Sequence, residues 1–177
     1  MEPGLSVVRQ LAVGSPGRWQ GILRALLTTA AALIAYVPTQ TLGLQEGFWA
    51  AITAIAVTQG EWRLTRTTAR DQLLGAAIGG LVALAMVLAV GRHLWSYGLA
   101  VGVAAVCCAL VRLPAAGRLS GITATIVLLV PSGIYSAGDI AFWRVSEVAW
   151  GVIVAVSLVW IVERFREWVG GGRGTLR

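Results

Sequence analysis

Lysine is absent from this chain, and charge of either sign is scarce. Asp, Glu, Lys and Arg together make up 12% of its 177 residues, where soluble domains carry about 25%. A chain so poor in charge cannot coat a water-facing surface. With 57% hydrophobic residues, its natural solvent is lipid. A soluble, fully buried helical core is the competing reading, but nearly every segment is apolar all round, which argues against it. Histidine occurs once, at His93, in a short loop beside Arg92. Cysteine occurs as the adjacent pair Cys107 and Cys108 inside an apolar run. Neighbouring cysteines close only a strained bridge, and no Cys/His spacing suits zinc, so neither a disulfide nor a metal is expected. No nucleophile–base pair, GxGxxG or phosphate loop is present. An enzyme therefore has no support, and no cofactor is expected.

What is present begins with arginine, which alone carries the net charge of +6. No basic stripe with interleaved aromatics accompanies it, so nucleic acid is not an expected partner. The arginines cluster between apolar segments and read as topology signals and headgroup contacts. Six segments can be drawn, at 20–37, 47–59, 71–90, 95–111, 119–130 and 145–162. Pro38, Gly91, Pro114 and the run Pro131-Ser132-Gly133 mark breaks between them. The first apolar run starts after about twenty mixed residues, too long a charged region for a signal peptide, so it is read as a retained helix. If six helices alternate, Arg9, Arg18, Arg24, Arg63, Arg66, Arg70, Arg112, Arg118, Arg164, Arg166, Arg173 and Arg177 share one side. Only Arg92 and Arg144 fall on the other. The positive-inside bias then puts both termini in the cytoplasm. Trp19, Trp49, Trp62, Trp95, Trp143 and Trp168 lie near segment ends, as interfacial anchors should. The expectation is an all-α polytopic membrane protein. It has a cytoplasmic or interfacial segment at 1–19, a six-helix transmembrane domain at 20–162 and a cytoplasmic tail at 163–177.

The second and fifth segments are short for a span, and their sequences are alike. Ala51-Ile52-Thr53-Ala54-Ile55-Ala56-Val57 compares with Gly121-Ile122-Thr123-Ala124-Thr125-Ile126-Val127. Each half holds three helices, so corresponding helices run in opposite directions, as in an inverted repeat. Transporters built this way place substrate at the repeat interface, near short or interrupted helices. Chance likeness between strings rich in Ala, Ile, Val and Thr is the alternative.

Arg70 is expected to open the third helix and Arg144 the sixth. A guanidinium offers a planar fork of donors suited to carboxylate, and a helix N-terminus adds unpaired N–H groups. A topological role, with Asp71 as partner, is the other reading of Arg70. Arg144 stands against the positive-inside bias. Glu147, three residues on, shares its helix face, and Gly151 and Ala155 continue that face. Either the two form an ion pair that lets both enter the membrane, or Arg144 faces an anion and Glu147 exchanges its interaction when that anion or a proton arrives. Glu46 and Trp49 stand at the outer entrance of the second helix, with Thr53 a turn further and Thr123 in the matching place of the second half. Trp49 suits stacking on an aromatic substrate as well as interfacial anchoring. Asp139 reads as a loop residue. Gly75/Gly79 and Gly98/Gly102 form small-xxx-small patterns that signal close helix packing.

The Phe48-Trp49-Ala50-Ala51-Ile52-Thr53 opening, the arginine-bearing elbow, and Arg70 followed by Leu73-Leu74-Gly75 and Gly79 resemble the fusaric acid resistance family. That family is also called the aromatic acid exporter family, and its membrane core is similar to that of plant aluminium-activated malate transporters. The sixth segment, with Arg144, Glu147 and Gly151, looks like the family's closing helix. The resemblance implies a bacterial inner-membrane exporter of organic anions, particularly aromatic carboxylates, with proton coupling as one mode of transport. Arg70, Arg144, Glu147, Trp49, Thr53 and Thr123 are then the candidate substrate contacts. Larger relatives join membrane halves to cytoplasmic domains, often in duplicated chains, so a single half implies a homodimer. Where the family commonly has Gly-Thr, this chain has Gly75-Ala76 and lacks the hydroxyl. A passive anion channel and a non-transporting membrane scaffold are the alternative functions.

Overall fold

A computed structural model of the chain describes residues 18–41, 46–130 and 135–171. Arg9, Arg173, Arg177, most of the 1–19 segment and the Pro131-Ser132-Gly133 break lie outside the described residues. Among them every regular element is a helix: α1 (Arg18–Thr41), α2 (Phe48–Val57), α3 (Trp62–Val90), α4 (Leu94–Leu110), α5 (Pro114–Leu129) and α6 (Ala137–Gly171). Three of these, over Trp19–Thr41, Trp62–Val90 and Ala137–Trp168, are long and apolar enough to cross a membrane. The other three are shorter apolar helices.

The helices match the six expected segments in number and order, and their ends differ for physical reasons. Pro38 does not stop α1, which runs on to Thr41. Proline there removes one backbone donor, the N–H that would reach the Ile34 carbonyl, without ending the helix, and the Thr39 and Thr41 hydroxyls donate to the carbonyls of Tyr36 and Pro38. α3 begins at Trp62, nine residues before the apolar run, because the arginine-bearing elbow is itself helical. α6 begins at Ala137 and not at Val145. Asp139 is therefore no loop residue. Its carboxylate accepts from the Ser136 backbone N–H at 3.0 Å and from its hydroxyl at 2.8 Å, while the Asp139 N–H donates to Ser136 Oγ. That reciprocal pair is a capping box, which fixes the start of α6. α5 starts at Pro114, with proline in its first turn where no N–H is needed. It is as long as its neighbour α4 to within a residue, so only α2 is markedly short, at 10 residues.

α3 and α6 pack together at the centre. Around them, α2 lies on α6 and α5 on α3; α1 packs on α2 and α6, α4 on α5 and α3. The lighter contacts are α2 with α3 and α5 with α6. The interior is built of small residues: Ala31, Ala35, Ala50 and Ala54 with Val154 in one cluster, Ala69, Ala76 and Ala155 with Val57, Val148 and Val152 in another. Large apolar side chains point outward instead, Leu88 at 77% exposure and Leu81 at 68%. A soluble bundle has the reverse arrangement. Small residues inside and leucine outside is the pattern of helices that meet by close backbone approach in lipid. Gly75 and Gly79 serve that approach. A Cβ on Gly75 would stand 2.7 Å from the Ala116 carbonyl, and one on Gly79 would fall on the Ser120 carbonyl. A Cβ on Gly98 or Gly102 would meet nothing within 4 Å among the described residues.

Candidate functional site

Arg144 lies two turns into α6. Its side chain is 8% exposed, and that of Glu147 9%. The guanidinium carbon sits 4.3 Å from the centre of the Trp49 ring, within cation–π range. Its Nη1 is 3.8 Å from Glu147 Oε2, which is an ion pair but too long for a hydrogen bond. Nε and Nη1 are buried and have no hydrogen-bond partner. Glu46, just ahead of α2, is close enough to act electrostatically on both Arg144 and Glu147. The site therefore has one cation held between an indole face and carboxylates, with two donors unspent.

Helix packing positions this group. One turn past Glu147, Gly151 meets α2 so closely that a Cβ would fall on the Ala50 carbonyl and stand 2.8 Å from Thr53 Cβ. Ala155 is fully buried on the same face. The Arg144–Glu147–Gly151–Ala155 face is thus pressed against α2, whose first turn carries Trp49. The Gly47 N-cap makes no side-chain cap bond there. Leaving a buried donor without a partner costs about 1–3 kcal/mol, and more for a charged group. An arginine kept in that condition inside an apolar bundle is the kind of residue that marks an ion or substrate path.

Of the residues expected from sequence, Arg144, Glu147 and Trp49 come together, and Thr53 lines the crossing one turn below. Thr123 is buried elsewhere, on α5 facing α3, where a Cβ on Gly80 would stand 3.9 Å from its methyl. Arg70 lies apart from both. Because α3 starts at Trp62, Arg70 is in the third turn and not at the helix mouth. The unpaired N–H groups of a helix end are therefore not available to it. Its side chain is 61% exposed and pairs with Asp71 at 3.4 Å, the arrangement of a headgroup-level arginine. A groove of about 550 Å³ on the C-terminal part of α6, among Trp160, Ile161, Arg164, Phe165, Glu167 and Trp168, is lined by that one helix and holds none of the Arg144 group.

Sequence reasoning passed over Gln72. It is buried, 9% exposed, in α3 among its small core residues. It follows Arg70 and Asp71 at the very start of the third apolar segment. The available signal was its spacing of three and seven residues from Gly75 and Gly79.

Residues 30–158 match the family model described as fusaric acid resistance protein-like. Neither the curated proteins nor the solved structures gave a match.

Proposed function

We propose that this chain, which belongs to the fusaric acid resistance protein-like family, exports organic anions, with aromatic carboxylates as the preferred class and Arg144 as the group that takes the carboxylate. Membership and the apolar helices make it a multi-pass membrane protein in a family with a transport and efflux role. The observation that carries the rest is the buried Arg144 guanidinium with Nε and Nη1 unpartnered. A carboxylate satisfies those donors with charge-assisted bonds. The Trp49 ring 4.3 Å away gives a flat substrate a surface to stack on. Glu147 and Glu46 hold the cation when no anion is bound and release it when one arrives.

In this reading all six helices cross the bacterial inner membrane with both termini in the cytoplasm. α1–α3 and α4–α6 form two inverted repeats. Support comes from the packing: exchanging α1 with α4, α2 with α5 and α3 with α6 carries the α3–α6 contact onto itself and every other helix contact onto one that is present. Arg24 near the start of α1 donates to Gln59 just past α2 at 3.0 Å, which brings those two ends to one side. Two copies assemble into a homodimer, and cross-linking in native membranes reads that state. Arg70, exposed beside Asp71, gathers anions at the inner surface.

The test is flux of a panel of aromatic and aliphatic carboxylates in proteoliposomes, comparing wild type with the Arg144→Gln/Glu147→Gln double variant. Removing both charges avoids leaving one buried and unpaired, which is strongly destabilising. Aromatic carboxylates should move with wild type and stop with the variant, while the variant stays monodisperse. If no anion moves under any gradient, a non-transporting scaffold is the better account. Flux that follows voltage and ignores a pH gradient makes the protein a passive channel.

A further inference from the structure

We infer that Gln72 is a second substrate-contacting residue, the inner counterpart of Arg144, and that the anion passes between these two stations. This rests on the transport reading above and assigns it a second half-site.

The evidence is the way the two helix crossings repeat one another. On α6, Arg144 precedes Glu147 by three residues and Gly151 by seven; on α3, Gln72 precedes Gly75 by three and Gly79 by seven. Gly151 abuts the carbonyl of Ala50, and Gly79 abuts that of Ser120. Ala50 immediately precedes Ala51-Ile52-Thr53, and Ser120 immediately precedes Gly121-Ile122-Thr123. The two contacts are therefore the same contact in the two halves. The correspondence extends outward. Gly75 meets Ala116 and Leu119, whose places in the first half are Glu46 and Trp49, the residues around Arg144 and Glu147. One half-turn relates the crossings, and it carries Arg144 onto Gln72. Arg70 is carried onto Phe142 instead, and both of those side chains are exposed. Gln72 thus replaces Arg70 as the partner of Arg144 across the repeat.

The two stations differ in chemistry. The outer one has a cation, an indole and carboxylates. The inner one has a neutral amide beside Gly75, with Leu119 in place of the indole. A Cβ on Gly80 would lie 3.7 Å from Ala141 and 3.8 Å from Val145, while Ala76 clusters with Val148 and Val152. The central helices are antiparallel, so Gln72 and Arg144 stand on either side of their midpoint, about 11 Å apart along the axis at 1.5 Å per residue. An amide can donate two hydrogen bonds to a carboxylate but adds no charge to retain it. A strong outer site and a weak inner one make the two ends of the path unequal.

The experiment is benzoate flux in proteoliposomes of known orientation, measured separately for benzoate offered to the cytoplasmic and to the outer face. Gln72→Leu should raise the half-saturating benzoate concentration at the cytoplasmic face by about tenfold, the loss of one or two hydrogen bonds. The value at the outer face should stay within about twofold of wild type. Gln72→Asn, which keeps the amide, should recover part of the loss. Equal change at both faces, or none at either, in a variant that remains monodisperse overturns the assignment. If Gln72→Leu does not fold, Gln72→Glu serves, since its carboxylate should repel benzoate at the cytoplasmic face alone. Wild type that moves neither benzoate nor any other carboxylate of the panel defeats the transport reading, and flux regardless of Arg144 defeats the role given to Arg144. Arg144-dependent flux that ignores Gln72 defeats only this inference.

Discussion

At the crossing of α3 with α5, Gly79 rests on Ser120 and Gly75 on Ala116 and Leu119. At the crossing of α6 with α2, Gly151 rests on Ala50, but the place of Gly75 is taken by Glu147 and the place of Gln72 by Arg144. At both, a glycine lets one backbone approach another so closely that a Cβ would have no room. What differs is the polar group a turn or two beyond the glycine. The contrast separates architecture from chemistry: the glycine contacts build the bundle at both crossings, and only the α2–α6 crossing carries the Arg144–Glu147 pair. An ion pair is not needed to hold such a crossing together, because the α3–α5 crossing has none.

The comparison is broken most severely at the glycines. Gly79→Leu and Gly151→Leu each drive a side chain into a neighbouring backbone carbonyl. Overpacking typically costs about 1–3 kcal/mol, more where backbone must move, and both variants should fail to give a monodisperse protein in detergent. If one folds normally, the two crossings are not equivalent. Next in size is Arg144→Lys, which keeps the charge but loses the planar fork. It should stay folded and lose about tenfold or more in aromatic carboxylate flux, the effect of one charge-assisted hydrogen bond. Trp49→Leu should weaken substrate binding by roughly three- to thirtyfold, matching a cation–π and stacking contribution of about 0.5–2 kcal/mol. Leu119→Ala, at the matching place of the other crossing, should not reproduce that change in binding. The smallest effect is expected at Gly98→Leu. A Cβ there meets nothing in the chain, so thermal unfolding of the protomer should shift by no more than about 0.5 kcal/mol. A larger loss that depends on protein concentration would place this face between copies.

Much of this was legible in the sequence, and the misses share a cause. Hydropathy reports where side chains meet lipid. It does not report where backbone hydrogen bonds begin, so α3 and α6 start nine and eight residues ahead of their apolar runs. That error put Arg70 at a helix mouth it does not occupy. Arg144, Glu147, Gly151 and Ala155 were readable as one face from spacing alone, because helical periodicity survives any uncertainty in the ends. Trp49 was named, but its place over the guanidinium depends on how closely Gly151 lets α2 approach, which no local pattern encodes. Gln72 was hidden by its company: it opens the apolar run directly after Arg70 and Asp71, and its spacing of seven from Gly79, matched by Arg144 and Gly151 in the other half, is what singles it out.

The central claim is that Arg144 recognises the carboxylate of the substrate. It is tested most directly by binding of benzoate and of its neutral analogue benzamide to the purified protein in detergent. Wild type should prefer benzoate by about tenfold or more, as a charge-assisted contact requires, and the Arg144→Gln/Glu147→Gln variant should bind the two alike. A preference for benzoate that survives in the folded double variant would contradict the account.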